Sequence, residues 1–534
     1  MTGWQQQLLI APIALPLIAG AVMVVLDEKR SRLKAAIGIV SILAMLGVAV
    51  ALALRADAGD TTIGVYRLGD WPTSFGIVLM LDRLSALLLI LSALLGLAAL
   101  LYALPRWQGM GAHFHALLQF QLMGLNGAFL TGDLFNLFVF FEVLLAASYG
   151  LALHGSGVAR VKAGLHYIAV NLAASLLFLI GVSMIYSVAG TLNMADLAAR
   201  IPQMPAANRP LLEAGAAILG VAFLVKAAMW PMGFWLMPTY SAASPPSAAI
   251  FSMMSKVGVY AILRLALLLF GPETGDSAGF GGTWLMVGGV ATILFGAVSV
   301  LATQDLPRLA GAGVYISSGT LLAAIGAGQV AVTGGALLYL ASSALATGAF
   351  FLLIELLERG REVGADMLAV TLEAYGDGDE EEEAVEAVGA PIPSTMAVLG
   401  VCFLCCALLL SGLPPLSGFI AKFAMLSGIL NPNGLGQGPA LVSPGGWALL
   451  TVLVLSGFAT LLSMARAGIR NLWATGDRGV PRVGAIEIAP VVLLLFVCLS
   501  MTVGAGPVMR YMQAAAVSLH TPQEYVRQVL GQVQ

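Results

Sequence analysis

The chain has 534 residues, of which 59% are hydrophobic and 10% are charged, whereas an ordinary soluble domain carries about 25% charged residues. So few polar residues cannot cover the surface of a soluble globule. The formal net charge of −3 argues against a nucleic-acid-binding protein, which would be basic. Continuous apolar runs of helix length favour membrane-spanning helices over barrel strands, which alternate polar and apolar residues.

A membrane span needs about 20 mainly apolar residues, and this requirement predicts fourteen spans. They lie at residues 8–26, 35–54, 77–104, 114–131, 134–153, 163–189, 211–240, 245–270, 284–303, 308–328, 330–354, 394–430, 446–469 and 485–511. The seventh and twelfth spans are longer than a plain helix requires and contain Trp230-Pro231 and GLPPLSG (412–418). Because proline removes a backbone donor, we expect both helices to be broken, as helices that line transport sites often are.

The loops between spans indicate the orientation. Fourteen Lys and Arg residues lie in loops after odd-numbered spans and eight lie on the opposite side, so the odd loops are predicted to be cytoplasmic and both termini external. The cytoplasmic segment 355–393 holds twelve acids, including Asp379–Glu383, and two arginines. It is predicted to be a solvated loop, and a docking or cation-attracting surface is the alternative.

Three of the six lysines, Lys226, Lys256 and Lys422, fall in the middle of predicted spans. A lysine at the membrane centre costs roughly 2.5–3.5 kcal/mol. Together with Glu142 in the fifth span, these amines suggest a chain of groups that passes protons across the membrane, because burial can bring a lysine close to releasing its proton. Ion pairs without a transport role are the alternative. Asp133, nine residues before Glu142, faces another side of the helix and is expected to cap it.

Polar spacing adds detail to the eighth span. Ser252, Lys256, Tyr260 and Arg264 recur every fourth residue and so form one stripe on a helix. The stripe could line a file of water molecules, or it could be a packing face.

The same spacing recurs in the eleventh span, where Tyr339, Ser343 and Thr347 could hold water but do not readily carry a charge. Lys162 and His166 are also four residues apart and could mark a cytoplasmic entrance, the alternatives being an interfacial anchor and a bonded core histidine.

Nucleotide, zinc-protease, haem and iron–sulfur chemistry have no motif here. The chain lacks GxxxxGK[ST] and HExxH, and its four cysteines form no paired cluster. No cofactor is expected, and the sequence does not indicate where a metal cation would bind.

Several segments resemble a known family. They are TGDLFNLFVFFEVLLAASYGLALHG (131–155), FLVKAAMWPMGFWLMPTYSAASPPSAAIFSMMSKVGVYAILR (223–264), QDLPRLAGAGVYISSGTLL (304–322) and GLPPLSGFIAKFAML (412–426). These segments are similar to the antiporter-like subunits of respiratory complex I and of Mrp-type cation/proton antiporters. FNLFVFFEVLLAASY and WLMPTYSAASP are most similar to the D subunit of the Mrp (Mnh or Pha) system.

This resemblance implies an all-α polytopic fold of fourteen helices, with the broken helices in spans seven and twelve. It implies N-terminal helices at 1–104, inverted five-helix repeats at 114–270 and 284–469, and a last helix and tail at 485–534. It also implies that Glu142 pairs with Lys226, that Lys256 continues the proton path, and that Lys422 ends it. Many relatives carry His or Lys in the eleventh span, whereas this chain reads YLASSALATGAFFLL (339–353). The sequence therefore does not indicate how a proton would pass between Lys256 and Lys422.

The leading interpretation is therefore a proton-translocating subunit of a multisubunit Na⁺/H⁺ or K⁺/H⁺ antiporter in the inner membrane of a bacterium. Its partners would be the other antiporter subunits, and it would not be an enzyme. One alternative is a proton-pumping subunit of a redox complex, such as complex I or a membrane hydrogenase, although Lys422 favours the antiporter because some redox relatives carry Glu there. A scaffold subunit without transport activity is a third.

Overall fold

The computed structural model describes residues 7–58, 63–71, 76–359, 394–432, 441–473 and 483–531. The acidic run Asp379–Glu383 and most of the predicted cytoplasmic loop around it therefore lie outside the described residues.

The described residues form α-helices and one small antiparallel hairpin. The helices are α1 (Ala11–Val25), α2 (Ser31–Ala58), α3 (Arg83–Ala103), α4 (Phe114–Leu130), α5 (Leu134–Ala152), α6 (Val158–Ala189), α7 (Met194–Arg200), α8 (Arg209–Lys226), α9 (Leu236–Ala242), α10 (Pro245–Phe251), α11 (Met254–Leu269), α12 (Gly282–Ala302), α13 (Leu306–Ala327), α14 (Val330–Glu358), α15 (Ser394–Ser411), α16 (Ser417–Leu430), α17 (Pro444–Gly468), α18 (Ala485–Val503), α19 (Ala505–His520) and α20 (Gln523–Leu530). The hairpin joins β1 (Gly64–Arg67) to β2 (Val78–Leu81), with Gly64 opposite Leu81.

The predicted all-α membrane fold is confirmed. Within the described residues, eleven helical stretches are long and apolar enough to cross a membrane. Each of the fourteen predicted spans contains at least one helix, but α1 has 15 residues and α4 has 17, which is short for a full crossing. The count of fourteen therefore stays a prediction.

Both predicted helix breaks are present. Residues 227–235, which contain Pro231, separate α8 from α9, and residues 412–416, which contain Pro414 and Pro415, separate α15 from α16. A third break, between α10 and α11 at Ser252 and Met253, was not predicted. The two proline breaks leave helix-terminal carbonyl or amide groups without their usual partners, so a polar or charged side chain can bind there. At the third break the Ser252 amide still donates to the Ala248 carbonyl at 3.2 Å, so this interruption is smaller.

Helix α14 lies at the centre of the bundle and is entirely buried along its apolar length. It packs against α10, α13, α16 and α19, among others. By contrast, α2, α6 and α12 expose much of one face, as helices in contact with lipid do. The polar residues of α14 therefore lie between the two halves of the chain.

Contacts at helix ends and in loops support the predicted alternation of the spans. Arg160, in the first turn of α6, donates through Nε to the carbonyl of Ala242, the last residue of α9, at 2.8 Å. On the other side, Gln523 of the C-terminal tail donates to Glu273 of the loop after α11 at 2.7 Å. Segments assigned to the same side of the membrane therefore meet each other.

Candidate functional site: buried lysines at helix breaks

Lys226 is the last residue of α8 and is only 4% exposed. Its Nζ lies 5.1 Å from the centroid of the Phe141 ring, within the range of a cation–π interaction. Among the described residues, Nζ has no hydrogen-bond partner. The carbonyl end of α8 carries a partial negative charge, so the break and the aromatic face together favour a cation at this position.

Helix α5 brings Glu142 to the same region. The helix begins at Asp133, whose carboxylate accepts hydrogen bonds from two backbone amides at 2.8 and 2.9 Å, as predicted. Glu142 is half-buried and accepts a hydrogen bond from Ser175 Oγ of α6 at 2.5 Å. It interacts electrostatically with Lys226, but the two side chains do not form a direct ion pair. The expected pairing is therefore a through-space interaction, and Ser175 is a partner that the sequence did not reveal.

Lys256 lies in the first turn of α11, directly after the unpredicted break, and is 2% exposed. Its Nζ donates to Ser317 Oγ of α13 at 2.6 Å. Ser317 in turn donates to Ser343 Oγ of α14 at 2.9 Å. A row of hydrogen bonds thus runs from Lys256 Nζ through Ser317 to Ser343 of the central helix α14. Ser343 was predicted, whereas Ser317 was not, although it stands in the 304–322 motif.

A glycine lets the helices of Lys226 and Lys256 approach each other closely. A Cβ atom on Gly258 of α11 would lie 2.6 Å from the backbone nitrogen of Ala227, which follows the last residue of α8. Any side chain at this position would push the start of α11 away from the end of α8. Gly258 therefore sets the distance between the two lysine-bearing segments.

Lys422 occupies the second broken span and is 6% exposed. It lies in α16, and its Nζ reaches back to donate to the carbonyl of Ser411, the last residue of α15, at 2.8 Å. A lysine that binds a free carbonyl at a helix end is a favourable arrangement. Gly412 has φ of 75° and would place a Cβ 2.5 Å from the lysine side chain, so glycine is required there.

A small cavity lies beside Ser317 and Ser343, the two serines linked to Lys256. Its volume is about 20 Å³, and Ser317, Ser343 and Thr460 of α17 line it. A water molecule needs roughly 10–15 Å³ and polar partners, so the cavity can hold one. Gly457, three residues before Thr460, would place a Cβ 3.5 Å from Lys422 Nζ. The cavity therefore borders the serines of Lys256 on one side and the helix beside Lys422 on the other.

Three further predicted residues lie on α14 or contact it. Tyr339 lines the same cavity, and Thr347 is buried farther along α14. Ser252 Oγ donates to the carbonyls of Ala249 and Ala344 at 2.7 and 3.2 Å, which ties the end of α10 to α14. Of these three, Tyr339 is the one that the structure places beside the serine row.

The polar stripe on α11 ends in a buried ion pair. Arg264 Nη1 lies 2.5 Å from Asp82 Oδ2, and both side chains are less than a tenth exposed. The rings of Tyr260 and Tyr525 lie 5.5 and 5.8 Å from the guanidinium carbon, while the Tyr260 hydroxyl donates to the Phe129 carbonyl at 2.9 Å. This end of the stripe therefore joins the third and eighth spans to the C-terminal tail, a contact in which Asp82 was not foreseen.

The sequence of this bundle matches a known family. Residues 131–435 match the model described as NADH:quinone oxidoreductase/Mrp antiporter, transmembrane. The matched segment includes all three buried lysines, Glu142 and the cavity-lining residues Ser317 and Ser343.

The chain belongs to this family.

Two relatives and one solved structure are similar to it over nearly the whole length. The D subunit of a probable K⁺/H⁺ antiporter of Rhizobium meliloti is 58% identical over 99% of both chains. The D subunit of a Na⁺/H⁺ antiporter of Alkalihalophilus pseudofirmus is 32% identical over 98% of this chain and 99% of the relative. A chain of the Mrp complex of Dietzia sp. superposes with a TM-score of 0.82 at 27% identity, covering 99% of this chain and all of the other. The resemblance to the D subunit of Mrp-type antiporters is thus confirmed.

Two predicted residues of this family member lie apart from the buried group. Lys162 and His166 are exposed on the outer face of α6, where His166 Nδ1 contacts the Lys162 carbonyl at 3.2 Å. Neither side chain reaches the interior in the structure, so the geometry gives no support to an internal water path through them. Their place near the end of α6 that is predicted to be cytoplasmic fits an interfacial anchor.

Titratable groups near the starts of α2 and α4, on the side predicted to be cytoplasmic, form a separate cluster. Lys34, which is 2% exposed, donates to Glu28 Oε1 at 2.5 Å, and His113 lies 2.9 Å from the same oxygen. Partial burial would raise the pKa of Glu28, but hydrogen bonds from Lys34 and from the His113 backbone, together with the charges of both residues, outweigh it and hold that pKa below its usual value. This cluster fastens α2 to the start of α4.

The described residues show no metal centre built from the usual protein ligands. No group of three or more His, Cys, Asp and Glu side chains among them is placed to hold a metal ion. The four cysteines are free.

Proposed function

We propose that this chain is the proton-translocating D subunit of a multisubunit antiporter that exchanges protons for a monovalent cation across a bacterial cell membrane. The name of the relative that is 58% identical supports this function and favours K⁺ over Na⁺. The similarity to a chain of the Mrp complex supports other antiporter subunits as partners. The chain would act as a transporter subunit and not as an enzyme.

The observation that carries the proposed path is the placement of three buried lysines at three helix breaks. A buried amine is costly to charge, while the carbonyl ends of α8 and α15 favour the charged forms of Lys226 and Lys422, and the Ser317 hydroxyl accepts a hydrogen bond from Lys256. The two tendencies oppose each other, so a small movement at a break can decide whether the amine holds a proton. Three such amines in one bundle suit a relay better than a static framework.

Each residue has a distinct proposed role. Lys226 is the central proton carrier, and Glu142 stabilises its charged form through space. Lys256 accepts the proton next and passes it toward Ser317 and Ser343. Lys422 exchanges protons with the far side of the membrane.

The two half-paths meet at the cavity. The sequence of the eleventh span has no titratable group that readily carries a proton from Lys256 to Lys422. We infer that a water molecule in the 20 Å³ cavity, hydrogen-bonded to Ser343 and Thr460, replaces that group. Hydroxyl groups can both donate and accept, so a serine–water–threonine row can hand on a proton without carrying a lasting charge.

The test is cation-dependent proton flux in vesicles that contain the complete complex. Lys226→Gln and Glu142→Gln should abolish or strongly reduce exchange, whereas Lys162→Gln, which changes an exposed lysine of the same chain, should leave it intact. Assembly of the complex is checked for each variant by co-purification. Full exchange by Lys226→Gln in an assembled complex would remove the proposed path.

The matched family also contains redox-driven subunits, so the second candidate is a pumping subunit of a quinone oxidoreductase or membrane hydrogenase. The partners that co-purify with the tagged chain separate the two. Small membrane subunits of an antiporter support the first proposal, and iron–sulfur or quinone-binding subunits support the second. A scaffold subunit, the third alternative, predicts that exchange survives replacement of all three buried lysines.

A further inference from the structure

A row of polar side chains lies on the face of α6 that contacts α5. Ser175, Asn171 and Tyr167 recur every fourth residue and so share one face of the helix. All three are less than a tenth exposed, whereas Leu172, the residue after Asn171, is 49% exposed. The row therefore faces the interior of the bundle, and the residues beside it face outward.

This row starts at the carboxylate of the proposed proton path. Ser175 Oγ donates to Glu142 at 2.5 Å. From Ser175 to Tyr167 the helix extends over eight residues, about 12 Å, toward the end of α6 that is predicted to be cytoplasmic. Asn171, halfway along, donates through Nδ2 to the Tyr167 carbonyl at 2.9 Å. The row thus covers a distance close to half of the hydrocarbon core, which is roughly 15 Å.

Two hydroxyl groups of α5 join the far end of this row. The Tyr167 hydroxyl lies 2.6 Å from Ser148 Oγ, and because Ser148 donates to the Leu145 carbonyl at 2.7 Å, the tyrosine is the donor of the pair. The ring of Tyr149 lies edge-on to the ring of Tyr167, with their centroids 5.4 Å apart. Helices α5 and α6 therefore bring three hydroxyl groups together on the cytoplasmic side of Glu142.

The hydroxyl of Tyr149 is the one group of this set that has no bond. Its oxygen is buried, and no other described residue donates to it or accepts from it. Tyr149 follows Glu142 by seven residues, which places both side chains on one face of α5, and the two interact electrostatically. Because buried polar groups are nearly always hydrogen-bonded, this hydroxyl is suited to bind a water molecule on the way to Glu142.

Lys226 is linked to the same tyrosines through the first helix break. The ring of Trp235, the last residue of that break, lies 5.2 Å from the ring of Tyr167. Trp235 Nε1 donates at 3.1 Å to the carbonyl of Val225, the residue before Lys226. A movement at the break that changes the surroundings of Lys226 therefore also reaches Tyr167.

We propose that these side chains form the cytoplasmic branch of the proton path, which connects Glu142 to the cytoplasm. The branch consists of Ser175, Asn171 and Tyr167 of α6 together with Ser148 and Tyr149 of α5. Asn171 positions water, and each tyrosine hydroxyl releases one proton on one side as it accepts another on the other side, so neither carries a lasting charge. The inference rests on the proposed function, since it names the route by which Glu142 exchanges protons with one side of the membrane.

A packing face is the alternative, because polar side chains also hold membrane helices together. Tyr149→Phe separates the two. The hydroxyl that it removes has no partner among the described residues, and the phenylalanine ring keeps its contact with Tyr167. Thermal stability should therefore stay at the wild-type value in both cases, and only the proposed branch predicts a change in proton flux.

The experiment measures proton flux driven by a K⁺ gradient in liposomes that contain the complete complex. Tyr149→Phe should slow exchange about 2- to 10-fold, the effect of one lost hydrogen bond on a proton-transfer step. The ratio of the flux in H₂O to the flux in D₂O should also rise, because proton transfer then limits the rate. Tyr186→Phe is the matched control, since Tyr186 also lies on α6 but is 49% exposed, and it should change neither quantity.

Asn171→Leu, which keeps the size of the side chain but removes its polar atoms, should reduce flux at least as much as Tyr149→Phe. Wild-type flux and an unchanged isotope ratio in assembled Tyr149→Phe would overturn the proposed branch, as would wild-type flux in assembled Asn171→Leu. Lys226→Gln, measured in parallel, keeps the two proposals apart. If it abolishes exchange while Tyr149→Phe does not slow it, only the cytoplasmic branch is wrong, whereas full exchange by Lys226→Gln would remove the proposed path itself.

Discussion

Filling the cavity beside Gly313 is expected to interrupt the link between Lys256 and Lys422. Gly313 of α13 lines the 20 Å³ cavity, and a Cβ placed on it meets nothing within 4 Å. A cavity of this size holds about one water molecule. Gly313→Ala should crowd that molecule, and the larger side chain of Gly313→Val should displace it.

The magnitude follows from the hydrogen bonds that the water would make. Ser343 and Thr460 would each lose a hydrogen bond to that water but would keep their bonds to the Leu340 and Ser456 carbonyls. Each lost hydrogen bond costs about 0.5–1.5 kcal/mol, so the two together cost about 1–3 kcal/mol. If the cost falls on the proton-transfer step, exchange slows about 5- to 150-fold. Folding should not suffer, because replacing a helical glycine by alanine favours the helix by about 1 kcal/mol.

The assay is K⁺- or Na⁺-dependent proton flux in proteoliposomes of the complete complex, measured beside its thermal stability. Gly47→Val, on the exposed face of α2, is the matched control because its side chain also meets nothing within 4 Å. A graded loss from glycine to alanine to valine at Gly313 alone agrees with the water link. Wild-type flux in assembled Gly313→Val would refute it.

Three further outcomes are expected. Gly258→Ala should lower the free energy of unfolding by about 1–3 kcal/mol, because the added methyl group overpacks the contact between α8 and α11, and it should also reduce proton flux. Thermal unfolding and transport assays measure the two effects. A fully stable, active variant would contradict the close approach of α8 and α11. Arg264→Ala should destabilise the protein by about 3–5 kcal/mol because Asp82 is left buried without its partner, and the double variant with Asp82→Asn should recover part of the loss in chemical or thermal unfolding. Because Lys34 holds the pKa of Glu28 below its usual value, this pair contributes stability above about pH 4 that is lost as the pH falls through the lowered pKa. Thermal stability should therefore fall more steeply between about pH 6 and pH 3 in the wild type than in Glu28→Gln, and equal slopes would contradict that assignment.

The buried lysines could be located from the sequence because the residues around them are almost all apolar. Lys226, Lys256 and Lys422 stand out among long apolar runs, and the structure finds all three buried. The prolines at 231, 414 and 415 marked two of the helix breaks for a similarly direct reason, since proline cannot continue a helix without losing a backbone bond.

Residues with common side chains could not be singled out in this way. Ser317 and Thr460 border the cavity, but serine and threonine occur in many membrane helices as packing residues. The break after α10 contains no proline, so the local sequence did not predict it. Its place beside Lys256 follows from tertiary packing, which a single sequence does not display.

Pairings across the bundle were the hardest to foresee. Arg264 was seen as the end of a polar stripe, but its partner Asp82 is 182 positions away in the sequence. Glu142 and Lys226 were expected to pair, whereas the Phe141 ring lies against the lysine and Ser175 donates a hydrogen bond to the carboxylate. Residue types and spans can thus be read locally, while the partner of each charge depends on the packing of distant helices.

The most direct measurement of the central claim is proton flux driven by a K⁺ gradient in liposomes that contain the complete complex. Lys226→Met, Lys256→Met and Lys422→Met are compared with the wild type in parallel. If protons pass along the buried amines, each assembled variant falls to the flux of liposomes without the complex. Wild-type flux in any one of them would contradict the claim that this amine carries the proton.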